Sequence, residues 1–166
     1  GDKLLCGPQA GIIAGKAEWI QKMKKHPLAR AIRVDKMTFA AMEETLRKYR
    51  DEKIALRDIP VLSMISASPE DMKAKAERLM AVISEHTDEY TLEIVPVEDQ
   101  IGGGSAPMVR LPGFAVSVTS DNCTTKAIER LLRKSSMPVI ARINDDRLLL
   151  CVRTIMEDEF ETVAEA

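Results

Sequence analysis

From Pro60 to the end of the chain, segments with a two-residue apolar period alternate with segments of helical period. This alternation constrains the fold most, because strands place successive side chains on opposite faces, whereas helices bring residues three and four apart together. The pattern predicts the element order β-α-β-β-α-β-β-α. Such an order favours an α/β (α+β) fold, in which helices cover an antiparallel or mixed sheet.

Local signals mark where these elements begin. In Ser68-Pro69-Glu70-Asp71, serine is a preferred N-cap, proline suits the first helical position, and acids favour the N-terminal end of the helix dipole. Asn144-Asp145-Asp146 has the composition of a hairpin turn. The predicted elements are a strand at 61–65, a helix from Ser68 buried through Met72, Ala76, Leu79, Met80 and Ile83, strands at 90–97 and 114–119, a helix at 122–134 buried through Ile128, Leu131 and Leu132, hairpin strands at 139–143 and 147–152, and a short helix at 157–164.

The chain before Pro60 gives weaker signals. The apolar run at residues 10–14 (AGIIA) predicts a buried strand, and residues 16–25 predict a helix. Asp35 is a plausible N-cap for a second helix, which carries one apolar stripe and extends to about Leu56. An isolated strand leaves its backbone groups unpaired, so we expect residues 1–25 to pair with another chain or to pack differently than in a larger protein.

Composition excludes several classes of protein. A net charge of −2 is unlike that of a strongly basic nucleic-acid-binding domain, so any RNA contact needs a local patch or a part of the protein outside this chain. The basic cluster at residues 22–26 favours a solvated helix face, with a tRNA phosphate contact as the alternative. The three cysteines form no C-x-x-C pair, which disfavours zinc and a disulfide framework and favours a reducing cytoplasm. For the same reason we expect no metal site. We also expect no membrane span, since no apolar run reaches about 18 residues. The start reads as the middle of a domain, so we expect a fragment.

Lys3 is the candidate reactive residue. A lone lysine is usually a solvated charge, but GDKLLCGPQAG places this one among small residues that leave room for a planar cofactor. The segment GDKLLCGPQAGIIAGK resembles the cofactor-lysine motif of bacterial L-seryl-tRNA(Sec) selenium transferases, also called selenocysteine synthases. HPLARAIRVDKMTFAAMEETLRKY, QIGGGSAP and PVIARINDDRLLLCVRT resemble the same family in order and spacing. Members typically have glycine where this chain has Cys6.

This resemblance implies a fold and a reaction. The fold is the C-terminal part of an aspartate-aminotransferase-like pyridoxal-phosphate (PLP) enzyme of fold type I, and the chain begins at the PLP lysine. Lys3 would bind pyridoxal 5'-phosphate as an internal aldimine and then act as base at Cα. The reaction converts L-seryl-tRNA(Sec) to L-selenocysteinyl-tRNA(Sec) with selenophosphate, through an aminoacrylyl-tRNA. Asp2 is an electrostatic or structural residue of the active site, and Gly7 and Gln9 shape the cofactor loop.

The resemblance further implies that Arg30 and Arg33 hold the selenophosphate or phosphate anion, since guanidinium groups bind phosphate oxygens bidentately. Their spacing of three puts both side chains on one face if the segment is helical. Residues 1–34 would be the C-terminal edge of the large PLP-binding domain, 35–59 an interdomain linking helix, and 60–166 the small C-terminal α+β domain. We expect a cytoplasmic homo-oligomer built from dimers.

Two alternatives remain open. One is another fold-type-I PLP lyase or transferase, such as a sugar-acid ammonia-lyase. The other is a non-catalytic oligomerisation module. We also expect this chain alone to be inactive, because the residue that stacks on the cofactor and the loop that binds its phosphate would lie outside it.

Overall fold

A computed structural model of the protein describes residues 3–102, 105–106 and 108–166. The chain divides into two compact units, the first extending to Ser66 and the second comprising Ala67–Gly102 and Ala106–Ala166. Among the described residues, no helix combines the length and the hydropathy needed to cross a membrane. The helices of the first unit are α1 (Ala17–Lys25), α2 (Leu28–Ile32), α3 (Lys36–Lys48), α4 (Glu52–Asp58) and α5 (Pro60–Ser66).

Two aspartates determine where α3 and α4 begin. The Asp35 carboxylate accepts hydrogen bonds from the backbone N–H groups of Met37 and Thr38, which confirms its predicted role as an N-cap. The predicted continuation of this helix to Leu56 is wrong, because Asp51 caps a separate helix. When an aspartate side chain accepts hydrogen bonds from nearby backbone N–H groups, these bonds replace the ones that would continue the preceding helix. Such a residue therefore favours the start of a new helix.

Both strands predicted in the first unit are absent from it. Residues 10–14 have no regular secondary structure, and Ile12 and Ile13 are 53% and 67% exposed. Residues 61–65 lie in α5, and Pro60 opens this helix instead of ending the preceding one. Proline is tolerated in the first helical turn, and a short apolar run does not by its periodicity distinguish a strand from a buried helix.

The second unit contains the sheet. Its four strands are all antiparallel to their neighbours in the order β1-β2-β4-β3, and Val116 at the centre pairs with Ile94 on one side and Leu150 on the other. The α+β class with an antiparallel sheet is therefore confirmed. The elements are α6 (Pro69–His86), β1 (Thr91–Gln100), β2 (Arg110–Thr119), α7 (Thr125–Leu132), β3 (Arg142–Asn144), β4 (Arg147–Cys151), a 3-10 turn (Glu157–Glu159) and α8 (Phe160–Ala164).

Helix α6 packs on one face of this sheet. Ala76 and Leu79 of α6 are completely buried, as are Val116 of β2 and Leu148 of β4. The Ser68 hydroxyl accepts a hydrogen bond from the Asp71 N–H and so begins α6 as predicted. The buried stripe of α6 is confirmed, with Met80 partly buried at its edge.

The C-terminal half of the unit differs from prediction in two details. Leu131 is 56% exposed, so its predicted burial is wrong. The shorter α7 buries Ile128. The predicted hairpin is present, but residues 139–141 lie outside its first strand. Asp145 and Asp146 both have positive φ, 49° and 58°, which is the backbone pattern of the type I′ turn favoured in hairpins.

A buried ion pair joins three segments of the second unit. The Arg153 Nε atom donates to Asp99 Oδ2 at 2.7 Å, and its Nη2 atom donates to the Pro112 carbonyl at 2.7 Å. The Arg153 and Asp99 side chains are only 6% and 13% exposed. A Cβ at Gly113 would lie 2.9 Å from Asp99 Oδ2, so a side chain at this position would force the ion pair to shift. The guanidinium thus ties β1 and β2 to the segment after β4.

Candidate active site

Lys3 lies at the start of a tight turn. The Cys6 N–H donates to the Lys3 carbonyl at 2.9 Å, which closes the turn, and the Lys3 side chain is exposed. Cys6 and Gly7 both have positive φ, 62° and 83°. Glycine adopts this conformation without steric cost, whereas cysteine does not. The positive φ at residue 6 therefore suits the glycine that members of the resembled family typically have there, and it disfavours the cysteine of this chain.

Two side chains contact this turn, Thr45 in α3 and Tyr49 directly after it. The Tyr49 hydroxyl donates to the Leu5 carbonyl at 2.9 Å and lies 3.4 Å from the Leu4 carbonyl. A Cβ at Gly7 would lie only 2.8 Å from Thr45 Oγ1. The lysine turn is thus held against α3, with glycine required at the point of closest approach.

The remaining predicted residues of this segment are placed as follows. Gln9 is exposed, three residues beyond the turn. Asp2 lies outside the described residues. The roles of Gly7 and Gln9 toward a cofactor therefore stay predictions.

The two predicted anion-binding arginines do not share one helix. Arg30 lies in α2, whereas Arg33 follows its last residue with an extended backbone (φ −65°, ψ 141°). A shared face was expected only for a helical segment, and Arg33 is the C-cap of α2, so the joint role of the two arginines stays a prediction. Both side chains are exposed, so the guanidinium groups are accessible to solvent.

The predicted basic cluster lies at the end of α1. Lys22, Lys24 and Lys25 occupy its last turn, where positive charge is favoured by the helix dipole. The Lys22 ammonium lies 4.6 Å from the centroid of the Trp19 ring, a cation–π contact. These features agree with a solvated helix face, and the alternative of a tRNA phosphate contact stays a prediction.

An apolar groove of about 600 Å³ lies between the lysine segment and α3. Its walls include Ile12 and Ile13 on one side and Phe39 and Leu46 on the other, and Arg50 also lines it. The apolar stripe that the sequence predicts for α3 comprises Phe39, Met42, Leu46 and Tyr49. Phe39 and Leu46 are 64% and 41% exposed. Of that stripe, Met42 is buried.

A sequence model described as SelA, L-seryl-tRNA selenium transferase, matches residues 1–156. The chain belongs to the L-seryl-tRNA selenium transferase family. Proteins named L-seryl-tRNA(Sec) selenium transferase are similar to it along its whole length: 45% identical over 99% of the chain in Clostridium botulinum (strain Hall), 42% over 100% in Geobacter sulfurreducens, and 45% over 100% in Geotalea daltonii. The chain covers 36% of the length of each of these relatives.

Membership of the selenium transferase family confirms the resemblance read from the sequence and agrees with the predicted fold-type-I class. The relatives are named as selenium transferases of L-seryl-tRNA(Sec). The motif predicts roles for Lys3 and the two arginines, and these roles stay predictions. The sequence did not indicate the contacts of Thr45 and Tyr49. Tyr49 was assigned to an apolar stripe by its spacing, and no pattern indicates what its hydroxyl binds.

Proposed function

We propose that the chain is part of a PLP-dependent enzyme that converts L-seryl-tRNA(Sec) to L-selenocysteinyl-tRNA(Sec). Selenophosphate would supply the selenium, by loss of the seryl hydroxyl followed by addition of selenide. The observation that carries this proposal is the family match over residues 1–156, which includes Lys3, Arg30 and Arg33.

Lys3 fits the requirement of an aldehyde cofactor for an accessible primary amine. Its side chain is exposed, and its backbone is held by the Cys6–Lys3 hydrogen bond and by the contacts of the turn with α3. Pyridoxal 5'-phosphate, when bound, supplies an electron sink for the carbanion at Cα. Lys3 would hold the cofactor. Once cofactor and substrate exclude water from its exposed amine, it would move the proton at Cα, since desolvation favours the neutral amine that can act as a general base.

The anion site of the proposal consists of Arg30 and Arg33. Both guanidinium groups are exposed, and each can donate two parallel hydrogen bonds to phosphate oxygens. They would position selenophosphate, or the phosphate that it releases. Asp2 would contribute electrostatically, and Gly7 and Gln9 would shape the loop that faces the cofactor.

The proposal extends to partners and location. Seryl-tRNA(Sec) is the substrate named for the relatives, and the same substrate is proposed here. We propose a homo-oligomer built from dimers in the cytoplasm, where aminoacyl-tRNA is found. Because the chain covers 36% of the length of its relatives, we expect catalysis only from a full-length protein that contains it.

Replacement of Lys3 tests the proposal. In a full-length protein that contains this chain, Lys3→Ala should abolish the visible absorbance of bound cofactor and the formation of selenocysteinyl-tRNA. Spectrophotometric titration with PLP and a radiolabelled selenium-transfer assay measure these effects.

Lys53→Ala is the matched control, because Lys53 is an exposed lysine of the same unit that lies outside the cofactor-lysine motif. It should leave the absorbance and the activity unchanged. Full activity of the Lys3→Ala protein would overturn the proposed function.

A further inference from the structure

Tyr49 is a polar residue that the proposed chemistry does not use, yet its hydroxyl contacts the backbone next to the reactive lysine. The bond from Tyr49 Oη to the Leu5 carbonyl measures 2.9 Å, and the Leu4 carbonyl lies 3.4 Å away. A phenol carries one proton, so the shorter contact is the principal hydrogen bond. It spans 44 residues of sequence, and it fixes a carbonyl two residues from Lys3.

The turn needs such support because its backbone is strained. Cys6 has a φ of 62°, in the left-handed region that costs an L-residue free energy. The hydrogen bond from Cys6 N–H to the Lys3 carbonyl is the local bond that closes this turn. A strained conformation persists where surrounding contacts over-determine it, and the Tyr49 hydroxyl is such a contact.

The support comes from a firmly placed part of the unit. Tyr49 is the C-cap residue of α3, whose N-terminus is capped by Asp35. The neighbouring Lys48 ammonium bonds to Asp58 of α4 at 2.8 Å, so the end of α3 is tied to the next helix. Partial burial raises the pKa of the Tyr49 hydroxyl, and the nearby Cys6 thiol raises this pKa further. The hydroxyl therefore stays protonated and able to donate around neutral pH.

We propose that Tyr49 is a positioning residue, whose hydroxyl holds the Leu4–Leu5 backbone and thereby the direction in which Lys3 presents its amine. This inference rests on the proposed function, because a direction matters only if the Lys3 amine reacts. Tyr49 itself touches neither cofactor nor substrate in this role. A misdirected amine would slow chemistry, since small displacements of a reacting group cost large factors in rate.

Hydrogen exchange in the chain without cofactor tests the structural half of the inference. Tyr49→Phe keeps the ring and removes the hydroxyl, and it should accelerate exchange of the Cys6 amide by roughly threefold to tenfold, the range for loss of one intramolecular hydrogen bond. Tyr90→Phe is the matched control, because Tyr90 packs against the core of the second unit. It should leave Cys6 exchange unchanged.

Exchange at Met42, the buried residue of α3, reports the stability of the unit that contains Cys6 and Tyr49 in the same experiment. If Tyr49→Phe leaves the Cys6 amide unchanged, or accelerates Cys6 and Met42 equally, the inference is overturned.

Activity of the full-length protein tests the functional half. Tyr49→Phe should lower kcat by at least about tenfold while KM for seryl-tRNA changes little, because the hydroxyl orients the amine without binding substrate. If Lys3→Ala is inactive and Tyr49→Phe has the parent kcat, only the positioning role fails. If Lys3→Ala is active, the proposed function fails, and the exchange result still decides whether Tyr49 holds the turn.

Discussion

Two adjacent residues near the lysine have left-handed backbone conformations. Cys6 and Gly7 both have positive φ, and Gly7 also approaches Thr45. Thr45 Oγ1 cannot move away freely, because it donates a hydrogen bond to the Ala41 carbonyl at 2.9 Å. A methyl group at residue 7 would therefore meet both an unfavourable backbone conformation and a fixed neighbour.

We expect Gly7→Ala to destabilise the turn by about 1–2 kcal/mol from its backbone conformation, with a further cost from the contact with Thr45. Cys6→Gly is the matched change in the opposite direction, and it should stabilise the turn by about 1 kcal/mol. Amide exchange of residues 4–7 in the two variants measures both effects. Equal exchange in both variants would contradict the assigned strain.

Helix α3 is the element on which the lysine turn rests. Its first turn depends on Asp35, whose carboxylate also accepts a hydrogen bond from the Thr38 hydroxyl at 2.7 Å. This bond, together with those from the backbone N–H groups of Thr38 and Met37, lowers the pKa of Asp35 below its usual value. The folded chain therefore favours the ionised carboxylate.

A lowered pKa has a defined consequence for stability. The contribution of Asp35 is fully present above its unfolded pKa of about 3.9 and is lost as the pH falls through the folded pKa. Asp35→Ala should reduce helicity and Tm at pH 7, and it should flatten the acid limb of the Tm profile. Asp35→Asn retains an acceptor oxygen, so it should keep more of the Tm at pH 7 while losing the same pH dependence.

Circular dichroism measured from pH 7 down to pH 2 follows these changes, because the loss falls below the unfolded pKa of Asp35. A steep acid limb that persists unaltered in Asp35→Asn would show that other carboxylates control it.

At the scale of the whole molecule, ion pairs contribute unequally to stability, as two pairs of the second unit illustrate. Arg153–Asp99 is buried, with side chains 6% and 13% exposed, whereas Arg147–Glu93 is 48% and 56% exposed. Their shortest N···O distances are equal at 2.7 Å. The N···O distance is therefore the same in the two pairs, and what differs is how strongly solvent screens the attraction between the charges.

We expect Asp99→Ala to lower the free energy of unfolding by about 3–5 kcal/mol, because it leaves the Arg153 charge buried without its carboxylate. Glu93→Ala, the matched exposed control, should cost about 0–1 kcal/mol. Urea unfolding followed by circular dichroism measures both values. Similar losses in the two variants would refute a special contribution of the buried pair.

Local chemistry in the sequence was sufficient for a large part of the fold. The caps at Asp35 and Ser68, the turn at residues 144–146 and the period of α6 each depend on a few neighbouring residues, so they could be predicted without tertiary information. The lysine motif and the family were recognisable for the same reason, since they are contiguous stretches of residue types.

Only the tertiary structure decided which apolar segments are buried and what the polar groups bind. Residues 10–14 and 61–65 have similar apolar character, yet the first segment is irregular and the second is helical. The structure that a short apolar segment adopts depends on what packs against it, which its own sequence does not record. The bonds of Tyr49 to residues 4 and 5 and of Arg153 to Asp99 join positions at least 44 residues apart. Periodicity records only local neighbours, so contacts of this kind became visible when the folded chain brought the residues together.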